Sequence, residues 1–239
     1  MKAMIFAAGL GTRLKPLTDH MPKALVPLAG KTLLQWQIDR LREAGISDIV
    51  VNVHHFPDMI IDAVEQNQSW GCNIRISDER DCLLDTGGGL RKARRLLEGD
   101  EAILVCNVDI LSNIDLRALM DRYEQTGVSQ LVVSNRSTQR YLCFNEEGLL
   151  QGWTNMATGE LKGRDGHHLA FSGMQILSEE VLDRLDEMQE TKFSLIPFYL
   201  HIMSDTPLQA YVPDDYRMMD VGKIDQIDEA ERFAETLAK

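Results

Sequence analysis

The sequence predicts an α/β fold, a mixed but mainly parallel sheet flanked by helices. Three observations predict it. Short apolar runs alternate with helical patterns through the first half of the chain. The first of these runs ends in a glycine-rich turn, as strands of open α/β sheets do. No repeat, low-complexity stretch or long linker interrupts the 239 residues, a length that suits one large domain or two small ones.

Ala3–Ala8 is an apolar run stopped by glycine and reads as a buried strand. Thr32–Glu43 sets Leu33, Leu34, Ile38 and Leu41 near helical spacing, with Gly45 as the stop. Asp48–Val53 (DIVVNV) is a second strand, and Met59–Val64 continues a helix after Pro57. Asn73–Ser77 (NIRIS) alternates as a third strand, Leu90–Leu97 is helical, and Ala102–Cys106 (AILVC) is a fourth strand. Repeated β–α–β order implies parallel pairing with helices on both faces.

Beyond Asp109 the pattern changes. Ile114–Gln125 is helical, and short strands then cluster at Gln130–Ser134, Tyr141–Asn145, Leu149–Trp153 and Leu169–Ile176. The two around Glu146-Glu147-Gly148 form a hairpin. Helices are expected at Ser178–Met188 and Phe193–Met203, a strand at Asp205–Tyr211, and a terminal helix from Asp225. These later strands form a flap beside the main sheet.

Composition excludes several classes. Hydrophobic content of 44% and charged content of 26% are ordinary for a globular protein. No segment approaches the ~20 apolar residues of a membrane helix, and the N-terminal run is too short for a signal-peptide core. A cytoplasmic protein with no membrane partner is expected. The net charge of −12 argues against nucleic acid. Yet residues 1–31 hold Lys2, Arg13, Lys15, Lys23 and Lys31 against the single acid Asp19, which points to an anionic ligand near the N-terminus. The four cysteines form no CxxC pair, so their spacing gives no zinc site. The histidines give no metal pattern either: His54-His55 and His167-His168 are adjacent pairs, and such neighbours do not share a face.

The chemistry sits where the first strand ends, at Ala8-Gly9-Leu10-Gly11-Thr12-Arg13. Glycines there let backbone N–H groups approach phosphate oxygens. The turn is neither G-x-G-x-x-G nor a Walker A loop. A dinucleotide-dependent oxidoreductase would also need an acid ending the second strand, where His54-His55 stands. The stretch continues Leu14-Lys15-Pro16-Leu17-Thr18 and then Met21-Pro22-Lys23-Ala24-Leu25-Val26-Pro27-Leu28-Ala29-Gly30-Lys31. This whole string, GLGTRLKPLT…PKALVPLAGK, resembles the signature of the sugar-phosphate nucleotidyltransferases.

The resemblance runs from Lys2 to about Asp225. It implies a Rossmann-like core with inserted sugar-binding strands, and a reaction joining a nucleoside triphosphate to a sugar 1-phosphate with release of pyrophosphate. The expected organisation is a single domain: a nucleotide-binding core over about 1–110, a sugar-binding part over 111–225 and a C-terminal helix over 225–238. Two polyanions must meet, so the chemistry needs positioning and cancelled charge more than covalent help. Backbone N–H groups of Ala8, Gly9, Gly11 and Thr12 suit the triphosphate. Arg13 suits the leaving phosphates through its planar fork, and Lys23 supplies a point charge where the reacting phosphates meet.

The same resemblance implies that Asp109, in Val105-Cys106-Asn107-Val108-Asp109, and Asp220, in Met218-Met219-Asp220-Val221-Gly222, hold Mg²⁺. It assigns Asp85, Thr86, Gly87 and Gly88 to the nucleotide. Asp85 is either an acceptor for a base N–H or simply the cap of the following helix. Asn107 and Gly173, the latter in an F-S-G segment, are assigned to the sugar; Asn155 is either a further sugar contact or a loop residue. The chain departs from the family at Val108, where glycine is usual, at Lys223, where threonine is common, and at Trp153-Thr154-Asn155, where relatives often carry E-K-P.

The D-T-G-G-G, F-S-G and F-S-L-I-P pieces favour members acting on UTP and N-acetylmuramate 1-phosphate or a related hexose 1-phosphate. Mannose-1-phosphate guanylyltransferases are the alternative. A non-catalytic nucleotide-sugar-binding regulator, with Val108 as its only sequence support, is the alternative of another class. A monomer or small homo-oligomer is expected.

Overall fold

A computed structural model describes residues 1–237; Ala238, the last residue of the expected terminal helix, and Lys239 lie outside it. The parallel core is β1 (Lys2–Phe6), β4 (Asp48–Val53), β5 (Asn73–Asp78) and β6 (Ala102–Asn107), in the order β6-β1-β4-β5. A two-residue hairpin, β2 (Pro27–Leu28) and β3 (Lys31–Thr32), closes the basic N-terminal loop. The inner strands β1, β4 and β6 are apolar along most of their length because both faces are covered, whereas the edge strand β5 (NIRISD) is mixed. Ala3, Ile5, Ile49, Val51, Leu104 and Cys106 face one core; Met4, Val50, Ile103 and Val105 face the other.

The first core is capped by α1 (Leu33–Glu43), α2 (Pro57–Gln66), α4 (Leu116–Thr126) and α7 (Ile227–Leu237). The second is capped by α3 (Asp85–Leu97), α5 (Glu179–Asp183) and α6 (Leu195–Ile202). Local chemistry sets their ends. Thr32 caps α1 by accepting from the Gln35 N–H at 3.1 Å. Asp115 caps α4, and Gly127 at φ 65° ends it. Pro57 opens α2.

The later strands extend the same sheet, except β7 and β14, which pair with each other as a separate two-stranded sheet. They are β7 (Ile110–Ser112), β8 (Ser129–Ser134), β9 (Arg140–Phe144), β10 (Leu150–Asn155), β11 (Glu160–Gly163), β12 (His167–Ser178), β13 (Leu208–Tyr211) and β14 (Met218–Asp220). β12 is the seam. Its second half pairs antiparallel with β6 of the core, and its first half pairs with β9 of the flap. β8 also lies along β12, with a register break between Phe171 and Gln175. β9, β10 and β11 form an antiparallel meander, so the expected hairpin around residues 146–148 is present.

Several expected boundaries move, among them the strand expected from Asp205, which starts at Leu208. The helix predicted from Leu90 starts at Asp85, because its glycines press against the segment before α6. The helix predicted over Ser178–Met188 stops at Asp183 and tightens into a 3₁₀ turn. The helix predicted from Phe193 starts at Leu195, because the Phe193 carbonyl accepts from Gly87 and Gly88. The terminal helix begins at Ile227, after a short 3₁₀ turn.

Candidate active site

The turn after β1 is held open by two constraints. Gly11 has φ 63°, and a Cβ there would meet Thr18 Cγ2 at 2.8 Å and Lys23 Cβ at 3.1 Å. Thr18 Oγ1 donates to the Gly11 carbonyl at 2.8 Å, folding the loop back on itself. Leu14 is fully buried and anchors the loop, while Gly9, Thr12 and Arg13 stay exposed. The result is a rim of backbone N–H groups and one guanidinium around a cleft. That is the arrangement a triphosphate requires.

The two distant acids meet beside this turn. β7 and β14 pair antiparallel with Asp220 opposite Ile110, and the Val221 N–H donates to the Asp109 carbonyl at 2.9 Å. Lys23 is buried to 7% exposure and its Nζ donates to Asp109 Oδ2. Gly222 reports the convergence: a Cβ there would lie 2.6 Å from Asp220 Oδ1 and 3.0 Å from Arg13 Nη2. Partial burial, and then the charge of Asp109, push the Asp220 carboxyl above its ordinary range; Lys23, Arg13 and Arg136 act the other way. Two carboxylates that disfavour each other's charge form a hard oxygen donor set, and this fits a divalent cation such as Mg²⁺.

Val108 is 4% exposed, packs into the first core and also lines the first compartment of the cleft; its N–H donates to the Phe6 carbonyl at 3.1 Å. The valine that departs from the family pattern thus fills core volume at the floor of the site.

The second glycine cluster behaves differently from the expectation. Asp85 and Thr86 line the cleft beside the turn, but Gly87 and Gly88 turn away from it. Their N–H groups both donate to the Phe193 carbonyl, at 2.8 and 3.1 Å. A Cβ on Gly87 would overlap the Phe193 ring, and one on Gly88 the Thr191 carbonyl. These two glycines serve close packing rather than ligand contact. Asp85 is not the cap of α3 either: the cap position is Leu84, with no side-chain bond. Asp85 instead accepts from Ser194 Oγ at 2.7 Å and from the Thr86 N–H at 2.7 Å.

Of the residues expected near the sugar, Asn107 and Gly173 are neighbours on the paired strands β6 and β12, and both line the cleft. A Cβ on Gly173 (φ 68°) would lie 2.7 Å from Asn107 Nδ2, and the break in β12 that re-aims the strand occurs there. Asn155 lies apart. Its side chain accepts from the Ala157 N–H at 3.0 Å within the β10–β11 turn, and its carbonyl accepts from Thr158 and Gly159. Its Oδ1 is engaged by its own turn, and the residue lines none of the compartments of the cleft.

The cleft has three connected compartments. The first, about 470 Å³, runs from Phe6 past the glycine turn to Asp85 and Lys192. It shares Arg13, Asn107 and Gly222 with a second of about 980 Å³ that holds Asp220 and Gly173. The second shares Arg136 and Phe171 with a third of about 460 Å³ under the flap. Arg136, Arg140 and Lys162 line this third compartment with Tyr141 and Trp153, and no acidic residue lines it.

Sequence reasoning missed several residues. Asn52 Oδ1 accepts from the Ala7 N–H at 2.7 Å, and its Nδ2 donates to Glu79 Oε1 at 2.7 Å. The fully buried Glu79 also accepts from the Leu84 N–H at 3.1 Å. This chain of bonds ties the turn after β1 to the start of α3. Gln37, on α1, donates to the Ile110 carbonyl at 2.7 Å and holds the strand that follows Asp109. Asn52 alone left a signal, a polar residue inside the apolar run DIVVNV.

Comparison with known proteins gives three findings. The sequence model of the family described as nucleotidyl transferase matches residues 2–143. The chain is 33% identical over 223 residues to the N-acetylmuramate alpha-1-phosphate uridylyltransferase of Caulobacter vibrioides, covering 89% of this chain and 88% of that protein. It is 37% identical over 191 residues to the enzyme of the same name from Neisseria meningitidis serogroup B, covering 78% and 79%. Among solved structures, apo UDP-glucose pyrophosphorylase superposes over the full length of both chains with a TM-score of 0.80 at 19% identity, a likeness of fold.

Proposed function

This chain belongs to the nucleotidyl transferase family, as a sugar-1-phosphate nucleotidyltransferase, and we propose that its substrates are UTP and N-acetylmuramate 1-phosphate. The observation that carries the choice of sugar is the cationic compartment under the flap. N-acetylmuramate differs from neutral hexoses in bearing a carboxylate. Arg136 and Arg140, together with Lys162, which also reaches Glu160 Oε1 at 3.3 Å, form the electrostatic complement of that group. Trp153 and Tyr141 beside them offer ring faces to the apolar side of a sugar. The names of the two relatives above support the base and the sugar together.

The proposed mechanism assigns each residue one task. Backbone N–H groups of Gly9, Gly11 and Thr12 hold the triphosphate, and Arg13 draws charge from the departing pyrophosphate. An oxygen of the sugar 1-phosphate attacks the α-phosphorus, the bond to the β-phosphate breaks, and pyrophosphate leaves with the electron pair. Lys23 stands over the point of attack, with its ammonium against Asp109. Asp109 and Asp220 would hold Mg²⁺, which supplies charge neutralisation between the two polyanions. Asn107 and Gly173 border the space between the nucleotide and the sugar. The core over residues 1–110 binds the nucleotide and the part over 111–225 binds the sugar, within one domain.

The test is a matrix of four nucleoside triphosphates against N-acetylmuramate, N-acetylglucosamine, glucose and mannose 1-phosphates, read by pyrophosphate release. The UTP and N-acetylmuramate pair should give the highest kcat/KM. Losing one charge-assisted hydrogen bond costs about 1.5–3 kcal/mol. Arg140→Gln should therefore lower kcat/KM for N-acetylmuramate 1-phosphate by roughly 10- to 100-fold, with little change for neutral hexoses. A preference for GTP with mannose 1-phosphate, or an equal loss on all sugars, overturns the assignment.

A further inference from the structure

The flap carries a cluster of a different chemical kind from the acidic pair. Cys143 on β9 and His168 on β12 are opposite partners in the antiparallel register, so their side chains leave the same face of the meander. Asp165 lies in the tight link between β11 and β12 and reaches back to both. His168 Nε2 is 2.6 Å from Asp165 Oδ1, and Cys143 Sγ is 3.8 Å from the same oxygen. The three ligand atoms all lie within 4.8 Å of one another. We propose that Cys143, Asp165 and His168 form a second metal site, selective for a thiolate-seeking divalent ion of the zinc class.

The surroundings hold the three groups in place. The Gly166 N–H donates to Asp165 Oδ1 at 2.9 Å, fixing the carboxylate. Gln151 Nε2 donates to the Asp165 carbonyl, fixing the link. The Tyr141 ring stacks on His168 with centroids 5.7 Å apart and planes 19° apart, which sets the imidazole plane. Zinc binds sulfur at about 2.3 Å and nitrogen or oxygen at about 2.0–2.2 Å, so ligands of one tetrahedral ion lie roughly 3.3–3.7 Å apart. The sulfur–oxygen separation is already near this range, the histidine and aspartate must part by less than about 1 Å, and the sulfur and the ring nitrogen lie within 4.8 Å of each other. As the ion enters, the thiol gives its proton to solvent and the imidazole binds through Nε2 with its proton on Nδ1. Cys143 is buried, while Asp165 is open to solvent, so a water completes the fourth position.

The donor set separates this site from the acidic pair of the cleft. Mg²⁺ prefers oxygen ligands and near-octahedral geometry. A sulfur, a nitrogen and one carboxylate suit zinc or cobalt. The site also touches the cationic compartment, because Tyr141 both stacks on His168 and lines that wall.

The test uses metal-free full-length protein titrated with Co²⁺ in excess Mg²⁺, which occupies the acidic pair. A thiolate-to-cobalt charge-transfer band should appear, saturate at one equivalent and disappear on adding Zn²⁺. Cys143→Ser should abolish it, and His168→Ala and Asp165→Asn should weaken Co²⁺ binding at least tenfold. Cys82→Ser and Asp109→Asn should leave it intact. Far-ultraviolet circular dichroism checks that each variant folds, and Asp165→Asn, at an exposed position, keeps the test decisive if Cys143→Ser does not. Absence of the band, or its survival in Cys143→Ser, overturns the proposal. Neither result bears on which sugar the cleft accepts.

Discussion

Replacing Lys23 by methionine should separate two effects that usually travel together. Lys23 is buried and donates to Asp109, so it competes for the carboxylate that a divalent ion would use. Two unit charges about 4 Å apart interact by ~1 kcal/mol in water and ~4 kcal/mol at an effective dielectric of 20. The Asp109 side chain is 21% exposed, so the pair falls between these limits, at about 2 kcal/mol. Removing Lys23 should therefore tighten Mg²⁺ binding by roughly 30-fold, at 1.4 kcal/mol per factor of ten. Turnover should move the opposite way. A preorganised charge at the point of attack contributes about 10²- to 10³-fold to kcat. Calorimetric titration with Mg²⁺ and a pyrophosphate-release assay read the two quantities on the same sample. If metal affinity and kcat fall together, Lys23 serves to hold Asp109 in a ligating pose, and the competition argued here is refuted.

Three further outcomes follow from named contacts. Gly88→Ala drives a Cβ into the Thr191 carbonyl; overpacking of this kind costs about 1–3 kcal/mol. Thermal unfolding should show it, with a raised KM for the nucleotide as Asp85 and Thr86 shift, and an unchanged melting curve contradicts it. Gln37→Leu leaves the Ile110 carbonyl without its donor, a loss of about 1–3 kcal/mol or a Tm lowered by roughly 2–4 °C per kcal/mol in a chain of this size. Mg²⁺ affinity should fall with it, and a variant as stable as the parent removes Gln37 from the positioning of Asp109. For pH, burial and then Asp109 raise the Asp220 carboxyl, so the folded chain takes up this proton before the unfolded chain does. The associated stability is present below the ordinary aspartate value and is lost as pH rises through the raised one. Mg²⁺ needs the ionised form, so its stabilisation of the protein should fade with acidification before pH reaches about 4; a constant Mg²⁺-induced rise in Tm down to that pH counts against the coupling.

The parallel core was legible because its rules are local. An apolar run such as DIVVNV, buried on both faces, announces itself without partners, and so does a run that stops at Gly9. The convergence of Asp109 with Asp220 was carried by family resemblance; no spacing along the chain encodes the β7–β14 pairing that brings them together. The glycines of the second cluster were legible as glycines but not in purpose. A residue without a Cβ fits a phosphate or a phenylalanine ring equally well, and here Phe193 decides. The Asn52–Glu79 bonds and the Cys143–Asp165–His168 cluster share one reason for being missed. Each joins residues on different strands, and only the sheet register makes them neighbours.

The seam strand β12 has a consequence for the working cycle. Its twelve residues are laddered at one end to the core and at the other to the flap. The ladder is interrupted between Phe171 and Gln175, where Gly173 sits at φ 68°. Each end of the strand is bonded to its own neighbour, so a swing of the flap against the core concentrates on these few residues. That joint lies against Asn107, at the rim of the cleft. Moving the flap and re-shaping that rim are therefore one motion.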